Sequence, residues 1–154
     1  MFLLDTNAIL RYILNDIPEQ HKNVLEFLLS NPSAIRLEVL VEVIYVLEKY
    51  YKKSRPEIAS IIAVLGRTEN LLIQYPRIVE RALNLFIEEK LDIVDCILCS
   101  FNNVEGYGVF TFDKKIKNPR GRAAGYLRLI FQALRCGGTN PPRPQFLRPR
   151  GARY

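Results

Sequence analysis

The sequence predicts an α/β domain built on a central, mainly parallel sheet flanked by helices. Three observations carry this. Short apolar runs of strand length alternate with longer segments of helical period. The junctions hold start and stop signals for helices, such as Ser54-Arg55-Pro56-Glu57 and Asn31-Pro32. A chain of 154 residues with 49% hydrophobic content is long enough for one domain with its own core.

Taken in order, Phe2–Leu4 reads as a short buried strand, and a helix follows from about Asn7 to Leu14, with Thr6 and Asn7 both suited to cap it. A second helix runs from about Glu19 to Leu29 on a stripe of Val24, Leu25, Leu28 and Leu29, until Asn31-Pro32 breaks it. Ser33–Arg36 is a brief strand. Leu37–Tyr51 is strongly helical, with Leu37, Leu40, Val41, Ile44 and Leu47 on one face and Glu38, Glu42, Tyr45 and Lys49 on another. The capping box at Ser54 opens a helix to about Leu65, which Gly66 can end. Leu71–Gln74 is the next strand, Pro76 starts a helix to about Glu89, and Asp92 begins another that ends near Asn103. Gly108–Phe112 is expected to be the last strand. Beyond Lys117 the character changes. A basic, Pro/Arg/Gly-rich extension over 118–154 is expected, with one possible helix at 123–134 and disorder after it, so that residues 1–117 form the domain proper.

Four carboxylates stand where an apolar segment ends or within a helix: Asp5, Glu42, Asp95 and Asp113. An isolated acid in apolar surroundings costs free energy unless it is paired, protonated or bound to a cation. Four of them, with no basic residue interleaved in their segments, suggest a hard divalent metal held by oxygen ligands, a site that most often serves phosphodiester cleavage. Asp5 and Asp113 follow predicted strands and so face the carboxyl edge of the sheet, where ligands bind. Asp95 falls in a first helical turn, favoured by the macrodipole, whereas spacing alone ties mid-helical Glu42 least firmly to the site. Each acid also has a plainer reading. Asp5 and Asp113 could cap a helix or turn, Asp95 could satisfy a dipole, and Glu42 could pair with Lys49. No serine has a histidine at a suggestive spacing, and the one histidine, His21, lies on a polar helix stretch, so water is the expected nucleophile.

Charge is divided along the chain. Residues 1–113 hold all 16 acidic residues and 11 of the 22 basic ones, a net of −5; residues 114–154 hold the other 11 basic residues and no acid, which gives the formal +6 of the whole. Cys96, Cys99 and Cys136 make no even disulfide framework, and Cys96-Ile97-Leu98-Cys99 lies in an apolar helical run, so buried free thiols are expected. No membrane span or signal peptide is evident, which points to a cytoplasmic protein.

Leu4-Asp5-Thr6-Asn7, Val41-Glu42-Val43-Ile44-Tyr45-Val46-Leu47, Asp92-Ile93-Val94-Asp95 and Thr111-Phe112-Asp113, in this order over residues 1–117, resemble the PIN-domain ribonucleases and, within them, the small VapC-like toxins of prokaryotic toxin–antitoxin pairs. The resemblance implies a three-layer fold and a pocket for Mg²⁺ or Mn²⁺ lined by Asp5, Glu42, Asp95 and Asp113, with Asp5, Asp95 and Asp113 as metal ligands. It implies supporting roles for Thr6, Asn7 and Thr111, which would orient carboxylates or a water, and for Asp92, one turn before Asp95. It implies metal-dependent hydrolysis of RNA, a homodimer and an antitoxin partner that blocks the site. Arg11, Lys49, Lys114 and Lys115 are candidate contacts to RNA phosphates, with Lys52 and Lys53 on the same rim. Other classes compete: a non-catalytic PIN-like RNA-binding or scaffold protein, or a receiver-like module with an acidic pocket, which would want a pair of acids after the first strand where this chain has only Asp5. A haloacid-dehalogenase-type phosphatase needs an aspartate where Asn7 stands.

Overall fold

The computed structural model describes residues 1–89, 91–113 and 116. Three parallel strands, β1 (Phe2–Leu3), β2 (Ser33–Ile35) and β3 (Leu71–Ile73), lie in the order β1-β2-β3. Six helices flank them: α1 (Thr6–Leu14), α2 (Pro18–Ser30), α3 (Leu37–Lys49), α4 (Arg55–Leu65), α5 (Pro76–Glu88) and α6 (Ile93–Glu105). Parallel neighbours need a crossover, and each is a helix pair here: α1 and α2 between β1 and β2, then α3 and α4 between β2 and β3. The register aligns Leu3 with Ala34 and Ala34 with Leu72. All three strands therefore end at one edge.

The helix starts follow local chemistry. Proline occupies the first turn of α2, α4 and α5, where its missing N–H is no loss. At α4 the capping box is closed: the Glu57 carboxylate accepts from the Ser54 N–H at 2.9 Å and from its hydroxyl at 2.6 Å. Gly66 ends α4 as expected, at an ordinary φ of −65°. The core draws on Ile35 from the sheet, Val43 and Leu47 from α3, Ile58 and Ile62 from α4, and Leu83 and Leu85 from α5, all fully buried. On α3 the buried set is Leu40, Val43, Ile44 and Leu47. Leu37 and Val41 are only half-buried, because α1, α4 and α6 all pack on this helix and rotate the covered arc toward Val43. Arg55 ties two layers together. Its guanidinium donates to the carbonyls of Phe86 and Glu89, both at 2.8 Å, lies 4.2 Å from the Phe86 ring and pairs with Glu48 at 3.4 Å. It thus closes the carboxyl end of α5.

The predicted strand at Gly108–Phe112 does not form. These residues join no ladder, so among the described residues β1 is an edge strand. Alternation survives, with Val109 and Thr111 half-buried while Phe110 and Phe112 are 90% and 87% exposed and touch only edge-on, at 5.4 Å. A period of two reports which residues face inward; it does not supply the hydrogen-bonding partner that makes a strand. Lys114, Lys115, Cys136 and the whole extension at 118–154, with the helix expected at 123–134, lie outside the described residues. No helix among the described residues is long and apolar enough to cross a membrane.

Candidate active site

The carboxyl edge of the sheet delivers the first acid. Asp5 sits two residues past β1 and is itself the N-cap of α1, its Oδ1 accepting from the Ala8 N–H at 2.8 Å. Neither Thr6 nor Asn7 takes the capping role, since the chain turns helical one residue earlier than their positions suggest. That leaves the Thr6 hydroxyl available, and it donates to Glu42 Oε2 at 2.7 Å across 36 residues of sequence. Glu42 therefore belongs beside Asp5 and Thr6, and does not pair with Lys49, which lies 3.5 Å from Glu48. Asn7 is exposed in the first turn of α1.

A second pair of acids opens α6. Asp92 is the N-cap, and its Oδ1 accepts from the Asp95 N–H at 3.0 Å. Tyr45, three residues past Glu42 on α3, lies within electrostatic reach of this second pair. Burial first, then the charges of Asp92, Asp95 and Glu48, push its phenol above the ordinary range. The sequence placed Tyr45 on the face of Glu42 but held no signal that α6 would bring acids to it. Nor could it show that Gln74, just past β3, caps α3 from 37 residues away, its Oε1 accepting from the Leu37 N–H at 3.0 Å.

Asp113 differs from expectation in that it follows no strand. It is exposed, and its N–H donates to Thr111 Oγ1 at 3.0 Å, so the Thr111 hydroxyl holds a turn and is not seen orienting a carboxylate. Burial is the second correction. Asp5, Glu42, Asp92 and Asp113 are exposed and Asp95 is half-buried. Asp5, Asp92 and Asp95 stand at helix starts, Glu42 on an outward helix arc and Asp113 outside any element, so water screens them, and the cost of burying an isolated charge does not by itself demand a cation. Among the described residues, no group of three or more His, Cys, Asp or Glu is gathered so as to hold a metal. The donor chemistry nonetheless fits Mg²⁺ or Mn²⁺: every candidate is an oxygen donor, and Mg²⁺ keeps several of its own waters.

The basic candidates are mostly engaged. Arg11 meets Asp16 at 2.6 Å, holding that carboxyl below its usual range, and Lys53 reaches Glu57 at 3.4 Å. His21 is half-buried, its ring stacked on Tyr12 with Nδ1 3.2 Å from the Arg11 carbonyl. Cys96 and Cys99 are buried and free, as expected, with burial pushing the Cys96 thiol up to about 12.

Asp5 at the carboxyl edge of a parallel α/β sheet, followed by Thr6 that donates to Glu42 of α3, brings two acidic segments together at that edge. The sequence profile of the PIN domain matches residues 2–121, most of the chain, and the protein belongs to that family. PIN domains are generally nucleases, typically use divalent metals and bind RNA. No curated protein sequence and no solved structure matches the chain significantly.

Proposed function

We propose that this protein is a divalent-metal-dependent endoribonuclease of the VapC-like kind, the toxin of a type II toxin–antitoxin pair, acting in the cytoplasm as a homodimer held in check by an antitoxin. The observation that carries the reading is the Thr6–Glu42 hydrogen bond, which joins the first and second of the family's acidic segments at one end of the sheet.

On this reading Asp5, Asp95 and Asp113 would hold Mg²⁺ or Mn²⁺, which supplies charge neutralisation at the phosphate and an acidified water. The protein's own contribution is orientation. Thr6 fixes one oxygen of Glu42, leaving Oε1 to accept the proton of the attacking water. Asp92 sets the first turn of α6 through its cap and so positions Asp95. In-line attack by water leaves a 5′-phosphate and a 3′-hydroxyl. The toxin role and the dimer rest on the resemblance of the four acidic segments to VapC-like chains.

The test is cleavage of a mixed cellular RNA pool by purified protein, with Mg²⁺ or Mn²⁺ and with chelator, beside folded Asp5→Asn and Asp95→Asn variants. Metal-dependent cleavage lost in both variants is expected. Cleavage that survives both substitutions would sink the assignment, and no cleavage under any metal condition would favour the non-catalytic RNA-binding alternative.

A further inference from the structure

The carboxyl edge of the sheet carries side chains that the acid site does not use. The aligned positions Leu3, Ala34 and Leu72 continue two residues on to Asp5, Arg36 and Gln74. Hydrogen bonds from the Leu4 N–H to the Ala34 carbonyl and from the Gln74 N–H to the Ile35 carbonyl carry the pairing to that point. Neighbouring strands lie about 4.8 Å apart, so Arg36 stands one strand from Asp5 and Gln74 two. Tyr75 comes next. Its φ of 51° is a left-handed conformation that a bulky residue adopts only when its surroundings hold it there. The hold is visible: the Tyr75 ring meets Phe101 edge-on at 5.4 Å, and Phe101 meets Tyr107 at 5.9 Å. Tyr107 is anchored in turn by the Asn102 side-chain amide, which donates to its carbonyl at 2.7 Å. Even so, Tyr75 and Tyr107 remain 43% and 54% exposed.

We propose that Arg36 and Tyr75 form a subsite for one unpaired nucleotide of single-stranded RNA beside the phosphate cleaved at Asp5, with Arg36 on a phosphate and the Tyr75 ring under the base. The proposal rests on the nuclease reading and names the two side chains that would hold the RNA beside the cut. Aromatic side chains beside cations are the general device for holding unpaired bases, and stacking tolerates any base. Residues 1–113 carry a net charge of −5, so contact with a phosphate falls to local cations; Arg36 and exposed Arg77, in the first turn of α5, supply them near this edge. The present partner of Arg36 is Glu38, at 3.0 Å in an exposed pair, a weak contact that a phosphate can replace.

Fluorescence anisotropy of a labelled single-stranded RNA decamer on the full chain carrying Asp5→Asn tests this. Tyr75→Asn keeps a residue tolerant of the left-handed backbone and removes the ring; it should weaken binding about tenfold, while Tyr75→Phe binds like its parent. Arg36→Gln should weaken binding and lower the salt slope by about 0.7. A duplex of the same sequence should lose nothing on Tyr75→Asn. Circular dichroism melts detect a folding loss, and Arg36→Gln, on an exposed side chain, decides the matter if Tyr75→Asn melts early. Unchanged affinity and salt slope in both variants, with the wild-type chain still cleaving RNA, would overturn the subsite and leave the nuclease standing. No RNA binding by the parent and no cleavage by wild type would overturn both.

Discussion

Thr6 and Glu42 are joined by a 2.7 Å hydrogen bond that links the first turn of α1 to the second turn of α3. It restrains an exposed glutamate whose side chain would otherwise sample several rotamers. Thr6→Val keeps the shape and removes the donor. We expect kcat for RNA cleavage to fall about 10- to 100-fold with KM little changed, because misplacing a reacting group costs on that order. Thr6→Ser should restore most of the rate. Equal loss in the serine variant would mean that the methyl, and not the hydroxyl, matters.

On the proposed function Asp5 has two jobs, which substitution can separate. As the cap of α1 it is replaceable by asparagine, so Asp5→Asn should melt like wild type, whereas Asp5→Ala should lose about 1 kcal/mol. Both should be inactive in cleavage assays. An active Asp5→Asn enzyme would reduce Asp5 to a cap.

Glu57 gives a pH signature away from the site. Hydrogen bonds from the Ser54 hydroxyl and N–H, and then Lys53, hold its carboxyl down to about 2, against 4.5 for a free glutamate. The folded value is the lower one, so the stabilisation is fully present above pH 4.5 and is lost as pH falls from 4.5 toward 2. Thermal melts of wild type and Glu57→Gln should therefore differ most at neutral pH and converge in acid. A gap that does not change with pH would refute the assignment.

Arg55 offers a stability test. Arg55→Met keeps an apolar stem on Phe86 but removes the donors to the carbonyls of Phe86 and Glu89 and the ion pair with Glu48, at a cost of about 1 kcal/mol read as a shift in the urea midpoint. Lysine should not rescue, since a single ammonium cannot reproduce the planar fork that reaches two carbonyls and covers a ring.

For Cys96 the expectation is inertness. With its thiol pushed up to about 12 by burial, and Cys99 also raised, neither should alkylate in native protein at pH 8, while both react after denaturation. Mass spectrometry of iodoacetamide-treated protein reads this directly, and rapid native labelling of Cys96 would contradict the buried helix.

Local signals were legible in the sequence and tertiary ones were not. Ser54 to Glu57 carries its own hydrogen-bonding partners within one turn, so its reading needed nothing else. Asp92 lies at the start of α6 for the same reason. Phe110 and Phe112 show the limit: their alternation is real, but a strand needs an edge beside it, and no local pattern names that edge. The Gln74 cap on Leu37 and the left-handed Tyr75 are set by packing from other elements, so neither left a trace in the chain order. The proposal of the four acids rests on their position and order alone, because helix ends face water and the argument from burial does not hold.

Asp5 and Asp92 each accept a backbone N–H of the helix they open on one carboxylate oxygen. In many enzymes, deleting a charged site residue raises stability, and selection must keep the residue against that gradient. Here the two demands coincide at these positions. A library sorted only for heat resistance, with no assay of RNA cleavage, would still return an N-capping residue at both, and aspartate among the few choices. Asp5 and Asp92 are thus buffered against drift by the helices they open.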